Sequence, residues 1–154
     1  MRALEYGLFL SLLLVTSACG KAGPRLAATS GVVTYQGNPV VDAQVVFVSS
    51  EKFEGRTWPA SAETDGDGKY VLTTAGVGQG ALLGKHSVTI TKRGLSPGAI
   101  PGSPAVGHES LPEMQAYMQP GPALIPKRYF SPVTSTLEVE VKSGSNTHNF
   151  DLKD

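Results

Sequence analysis

Gly31-Val32-Val33-Thr34-Tyr35-Gln36-Gly37-Asn38-Pro39-Val40-Val41-Asp42-Ala43-Gln44-Val45-Val46-Phe47-Val48 carries two runs rich in β-branched and aromatic residues, 32–35 and 44–48. Such runs read as strands. Between them Gly37 supplies free φ, Asn38 tolerates left-handed backbone and Pro39 fixes φ, so the chain turns. Downstream, Asp65-Gly66-Asp67-Gly68 is a second strong turn signal. Strands are expected on either side of it, weakly at 58–64 and strongly at 69–74. Residues 87–91 alternate, with Val88 and Ile90 on one face. The cleanest alternation is 136–142, where Leu137, Val139 and Val141 point one way and Glu138 and Glu140 the other. Ser143-Gly144-Ser145 then turns the chain into 146–152, with Phe150 and Leu152 on one face. About seven short strands separated by turn signals predict an all-β sandwich.

Residues 93–132 interrupt this pattern. Eight of the 11 prolines lie there, a density that no sheet strand survives. Within the insert, Ser110-Leu111-Pro112-Glu113 reads as a capping box, and Leu111, Met114 and Met118 have helical spacing. One short helix packed over a sheet edge is expected. The whole chain has 154 residues, 18 of them Gly, with only 17% charged residues. That suits one domain of strands and turns rather than a helical bundle. Lys+Arg and Asp+Glu are 13 each, so there is no basic footprint for nucleic acid.

The N-terminus addresses the compartment. Arg2 precedes Leu8-Phe9-Leu10-Ser11-Leu12-Leu13-Leu14-Val15. A short positive region followed by roughly 7–15 apolar residues is a secretory signal, too short for a spanning helix of about 20 residues. Val15-Thr16-Ser17-Ala18-Cys19-Gly20 follows and holds the chain's single Cys. It resembles the lipobox of bacterial lipoproteins, although Thr16 stands where an aliphatic residue is usual. The resemblance implies cleavage after residue 18 and lipidation of Cys19 by a diacylglyceryl thioether and an N-acyl chain such as palmitate. One acyl chain anchors only marginally, whereas several together anchor stably. Gly20, rather than Asp, after the Cys implies delivery to the outer membrane of the bacterial cell envelope. Residues 19–30 are small, polar and periodless, and read as a flexible tether to a domain over 31–154. The alternative is an ordinary secretory signal with an incidental Cys.

The segment 31–45 also resembles the opening of carboxypeptidase regulatory-like domains. Thr64-Asp65-Gly66-Asp67-Gly68-Lys69-Tyr70-Val71-Leu72 is similar to their second signature, and Gly84-Lys85-His86-Ser87-Val88 to their third. With Ile125-Pro126-Lys127-Arg128-Tyr129 and a final hairpin, the chain resembles small bacterial lipoproteins carrying this one domain. The resemblance covers about 31–92 and 125–152. It implies a transthyretin-like, seven-stranded sandwich acting as a non-catalytic accessory module. His86 departs from the family's usual aromatic residue, and the Pro-rich insert is longer than usual.

Chemical motifs are sparse. Asp65 to Gly68 lacks the further oxygen ligands and the Glu at position twelve of a calcium loop, so it reads as a turn. Gly76, Gly78, Gly80 and Gly84 lack a phosphate-loop Lys and read as a flexible loop. His86 shares parity with Val88 and Ile90, and His148 with Phe150 and Leu152. Both belong at the end of the inward face, near each other, as core histidines or as a metal pair lacking an evident third ligand. His108-Glu109-Ser110 places base and nucleophile too close in sequence for a triad, and no Gly-x-Ser-x-Gly elbow occurs. Trp58, Tyr70, Tyr117 and Tyr129 are either a sugar-stacking surface or core anchors. The leading expectation is a lipid-anchored, non-enzymatic binding or structural module without cofactor or metal, its partner an envelope protein or glycan. The alternatives are a carbohydrate-binding module and a small His-dependent hydrolase.

Overall fold

The structure, a computed structural model, describes residues 23–96 and 119–154. Its strands are β1 (Leu26–Ala27), β2 (Thr29–Tyr35), β3 (Asn38–Pro39), β4 (Gln44–Ser49), β5 (Ala60–Glu63), β6 (Lys69–Val71) and β7 (Thr73–Thr74). They continue with β8 (Gly78–Gln79), β9 (Ala81–Leu82), β10 (Gly84–Thr91), β11 (Glu138–Val141), β12 (Asn146–Thr147) and β13 (Phe150–Leu152). One sheet runs β11-β10-β4-β5-β7-β8; the other is built around β2, which pairs with β3, β6, β12 and β13. The fold is an all-β sandwich.

The alternating runs explain the layers. Val45 and Phe47 of β4 and Val88 and Ile90 of β10 are fully buried and lie in register, Phe47 opposite Val88 and Val45 opposite Ile90. Val33, Tyr70, Phe150 and Leu152 supply the facing layer. Phe47 enters an aromatic cluster there, its ring centroid 6.3 Å from Tyr70 and 6.1 Å from Phe150. Glu138 and Glu140 stay exposed on β11, the sheet's outer strand. Charge there blocks pairing with another sheet.

Turns take the chain between layers. Gln36 and Gly37 have φ of 52° and 76°, the left-handed pair that a tight two-residue hairpin needs. The chain then crosses from β3 to β4 through a corner held by Thr64. Its hydroxyl donates to the Val40 carbonyl (2.6 Å) and accepts from the Ala43 N–H (2.7 Å). Asp65 closes the next turn, its carboxylate accepting from the N–H groups of Asp67 (2.9 Å) and Lys69 (2.8 Å).

β12 and β13 run parallel to β2. Their register against β2 is continuous, Asn146 opposite Thr29 and Phe150 opposite Val33, so they are one strand interrupted at His148 and Asn149. Asn149 fills the gap by accepting the Val32 N–H through its side chain (3.0 Å). The His148 carbonyl leans over Gly31 and accepts the Tyr70 hydroxyl at 2.6 Å. Burial raises the pKa of that hydroxyl, which keeps it a donor.

Three expectations change. The domain begins before residue 31: Ala27 and Thr29 are buried, and β1 pairs with β9 while β2 starts at Thr29. Small residues gave no periodic signal there, and backbone pairing holds them. The glycine-rich stretch is not a loop but carries β8 and β9, with Gly80 at φ 112° where a Cβ would lie 2.3 Å from the Ala27 carbonyl oxygen. The final strands form no hairpin, because β11 joins one sheet and β12–β13 the other. Asn146 makes that crossing by bonding both backbone groups of Lys142, at 2.9 and 2.8 Å. The end of the insert belongs to the packed domain: Ile125 and Tyr129 are core residues, with a 3-10 helix at Lys127–Phe130. The short helix expected around residues 110–118 lies outside the described residues.

Candidate functional site

His86 and His148 come together as their parity required. Their rings lie 5.9 and 6.1 Å from the Phe47 ring, on the inward face. His86 is 1% exposed and is placed by β10 between Ser49 of β4 and Val139 of β11. Its Nδ1 lies 3.0 Å from the Gly84 carbonyl oxygen. A carbonyl only accepts, so Nδ1 carries the proton and Nε2 holds a lone pair. That Nε2 is buried without a hydrogen-bond partner, and so is the Nε2 of His148. Burial lowers the pKa of both imidazoles, and for His86 the nearby His148 lowers it further. Both are neutral at pH 7. His86 also borders a small cleft lined by Ser50, Ser87, Glu138 and Glu140, and His148 is half-buried. Because both rings pack on Phe47 and both Nε2 atoms are buried without a partner, this arrangement suits packing better than proton transfer.

Among the described residues no three His, Cys, Asp or Glu side chains gather as a metal site would need. Asp65 spends its carboxylate on the turn. Tyr70 and Tyr129 are core residues, and Tyr129 bonds the Lys153 backbone in both directions at 3.2 Å. They form no stacking platform. Trp58 is half-buried, with the Arg56 guanidinium 5.4 Å from its ring centre. Cys19, His108 and Tyr117 lie outside the described residues.

Two surface features escaped the sequence reading. An open polar cleft of about 510 Å³ crosses the outer face of the six-stranded sheet, lined by Asp42, Gln44, Ser61, Glu63, Thr91 and Arg93. Gln44 pairs with Glu63 on one side and Thr91 on the other, which sets these side chains in a row across β5, β4 and β10. Their opposite parity to Val45 and Ile90 was the available signal. Arg93 is held in place by stacking 4.8 Å over Phe130 and bonding the Gly121 carbonyl at 3.4 Å. A second, more apolar groove of about 480 Å³ lies where the described chain begins, between Gly23, Arg25, Lys52, Phe53, Leu82 and Leu83. Among the described residues no helix is long and apolar enough to cross a membrane.

Comparison of the chain with protein-family models, with curated proteins and with solved structures gives no match.

Proposed function

We propose that this protein is a lipid-anchored, non-enzymatic module of the bacterial cell envelope whose β-sandwich binds or scaffolds a partner. The location is supported by the sequence: an apolar run ends at the chain's single Cys, in a context that resembles a lipobox. The likeness of 31–45, 64–72 and 84–88 to carboxypeptidase regulatory-like domains supports the accessory role. The observation that carries the non-enzymatic reading is the state of His86 and His148. Both rings pack against Phe47 with their Nε2 atoms buried, which is a structural use of the side chains best suited to acid–base work. The polar cleft lined by Gln44, Glu63 and Thr91 is the face best formed for a polar partner, an envelope protein or a glycan. Among the described residues no large aromatic side chain lines it, which favours a protein over a stacked sugar.

Mass spectrometry of the membrane fraction tests the anchor, and a peptide beginning at Cys19 with added acyl mass is expected. Cys19→Ser releases the protein or leaves it as unprocessed precursor; an unmodified, soluble wild-type chain would overturn the reading. Separating the membranes by density tests delivery, with recovery in the outer membrane expected. A hydrolase screen with His86→Ala and His148→Ala controls tests the role. Activity that disappears with those histidines would make the protein an enzyme.

A further inference from the structure

The end of the sandwich where the described chain begins combines a short reach to the proposed anchor with side chains suited to a membrane interface. We propose that this end, formed by Arg25, Lys52, Phe53, Leu83 and Trp58, rests in the headgroup layer of the bilayer and fixes the domain's orientation there. The proposal depends on lipidation at Cys19, and the geometry supplies the rest. Residues 20–22 alone separate Cys19 from Gly23, and at roughly 3.6 Å per extended residue the two Cα atoms lie at most about 14 Å apart. The chain cannot lengthen this by peeling back at rest, because β1 pairs with β9 and the Leu83 N–H donates to the Arg25 carbonyl at 3.2 Å. A lipid on Cys19 therefore holds the groove beside Gly23 against the membrane surface.

That groove is walled by Leu82, Leu83 and the hairpin at Phe53–Arg56. Glu54 and Gly55 turn the hairpin with φ of 50° and 75°, a tight two-residue turn that presents Phe53 and Arg56 side by side. Trp58 sits at the hairpin's base, its indole N–H directed at the Phe53 carbonyl at 3.4 Å, with Arg56 over its ring. Indoles and guanidinium groups are at home where one end of a side chain is apolar and the other wet. Arg25, Lys52 and Arg56 outnumber the carboxylates Glu51 and Glu54, so this end also favours anionic lipid.

The chain's single Trp lies next to the groove, against the backbone of Phe53, which makes it an intrinsic probe. The full lipoprotein, purified from membranes, is reconstituted into phosphatidylethanolamine–phosphatidylglycerol vesicles containing a lipid brominated near the top of its acyl chains. Trp58 emission is expected to shift to the blue and lose about half its intensity relative to unbrominated vesicles. Reversing the two exposed cations, Arg25→Glu with Lys52→Glu, leaves the protein co-floating with vesicles but removes the quenching. A lipidated, floating wild-type protein with unquenched Trp58 overturns the docking while leaving the anchor intact. Quenching in the reversed variant equal to wild type also overturns it, as does dimerisation of the protein through this face in place of quenching. Absence of both acyl mass and flotation overturns the anchor, and the docking with it.

Discussion

Gly31→Ala is the substitution whose effect the geometry fixes most closely. Gly31 stands opposite Tyr70 on β6 and beneath the His148 carbonyl. A Cβ there would lie 1.8 Å from that carbonyl oxygen, 2.6 Å from its carbon and 2.9 Å from the Tyr70 hydroxyl oxygen. None of these groups is the free end of a flexible side chain, since two are backbone and the third is tied to them at 2.6 Å. The interrupted C-terminal strand must move off β2, which breaks the Tyr70–His148 bond. Leaving that hydroxyl and carbonyl unpaired costs about 1–3 kcal/mol, and forcing the extra methyl into a packed layer costs about 1–3 kcal/mol more. A loss of about 2–6 kcal/mol is expected, a large share of the roughly 5–15 kcal/mol that holds a domain together. Urea unfolding followed by circular dichroism measures it. Gly66→Ala is the matched control, because nothing lies within 4 Å of its added Cβ, and it should change stability by no more than about 0.5 kcal/mol. If Gly31→Ala costs less than about 1 kcal/mol, the close approach of β2, Tyr70 and His148 described above is wrong. Tyr70→Phe should show the hydrogen-bond part alone, about 1–2 kcal/mol.

Thr64→Val keeps the shape of a 3% exposed side chain but removes both bonds at the crossover corner, and should lower stability in the same assay by about 2–4 kcal/mol. The histidines give a pH dependence. The fold holds the His86 pKa below its ordinary value, so its neutral form favours folding, and that contribution is complete above the unfolded pKa near 6.5. As pH falls below that value the unfolded chain binds a proton that the native state refuses. Stability then falls by up to about 1.4 kcal/mol per pH unit from His86 until the native imidazole itself titrates. His148 acts in the same direction. A series of unfolding curves from pH 8 down to pH 5 measures this, and His86→Phe should reduce the slope.

Much of the fold was legible because it was local. Val88, Ile90, Leu137, Val139 and Val141 announced their faces by alternation, and the same parity put His86 and His148 on the inward face. The Asp65–Gly68 turn was readable because its chemistry lies within four residues. What stayed hidden depends on partners far away in sequence. Ala27 and Thr29 carry little hydropathy, and pairing with β6, β9 and the C-terminal strand, all forty or more residues downstream, makes their segment a strand. The final hairpin failed for a related reason: alternation reveals which face of a strand is apolar but not which neighbour it takes. The polar cleft across β5, β4 and β10 became visible only once register set Gln44, Glu63 and Thr91 side by side.

The pairing around β2 also sets an order of events. This strand is made early, yet apart from the short β3 its partners within the sheet are Lys69–Val71 and the terminal pair Asn146–Thr147 and Phe150–Leu152. A chain threaded from its N-terminus therefore cannot complete the layer that covers Phe47 until its last residues arrive. Non-local pairing of this kind slows folding, because loop closure must be completed before any contact rewards it. Under the proposed export as an extended chain, such lateness would be useful: the segment in transit would hold no finished sheet to jam the channel. The last few residues act as the latch, and removing Phe150–Leu152 should leave a chain whose β2 layer never closes, seen as loss of a cooperative urea transition.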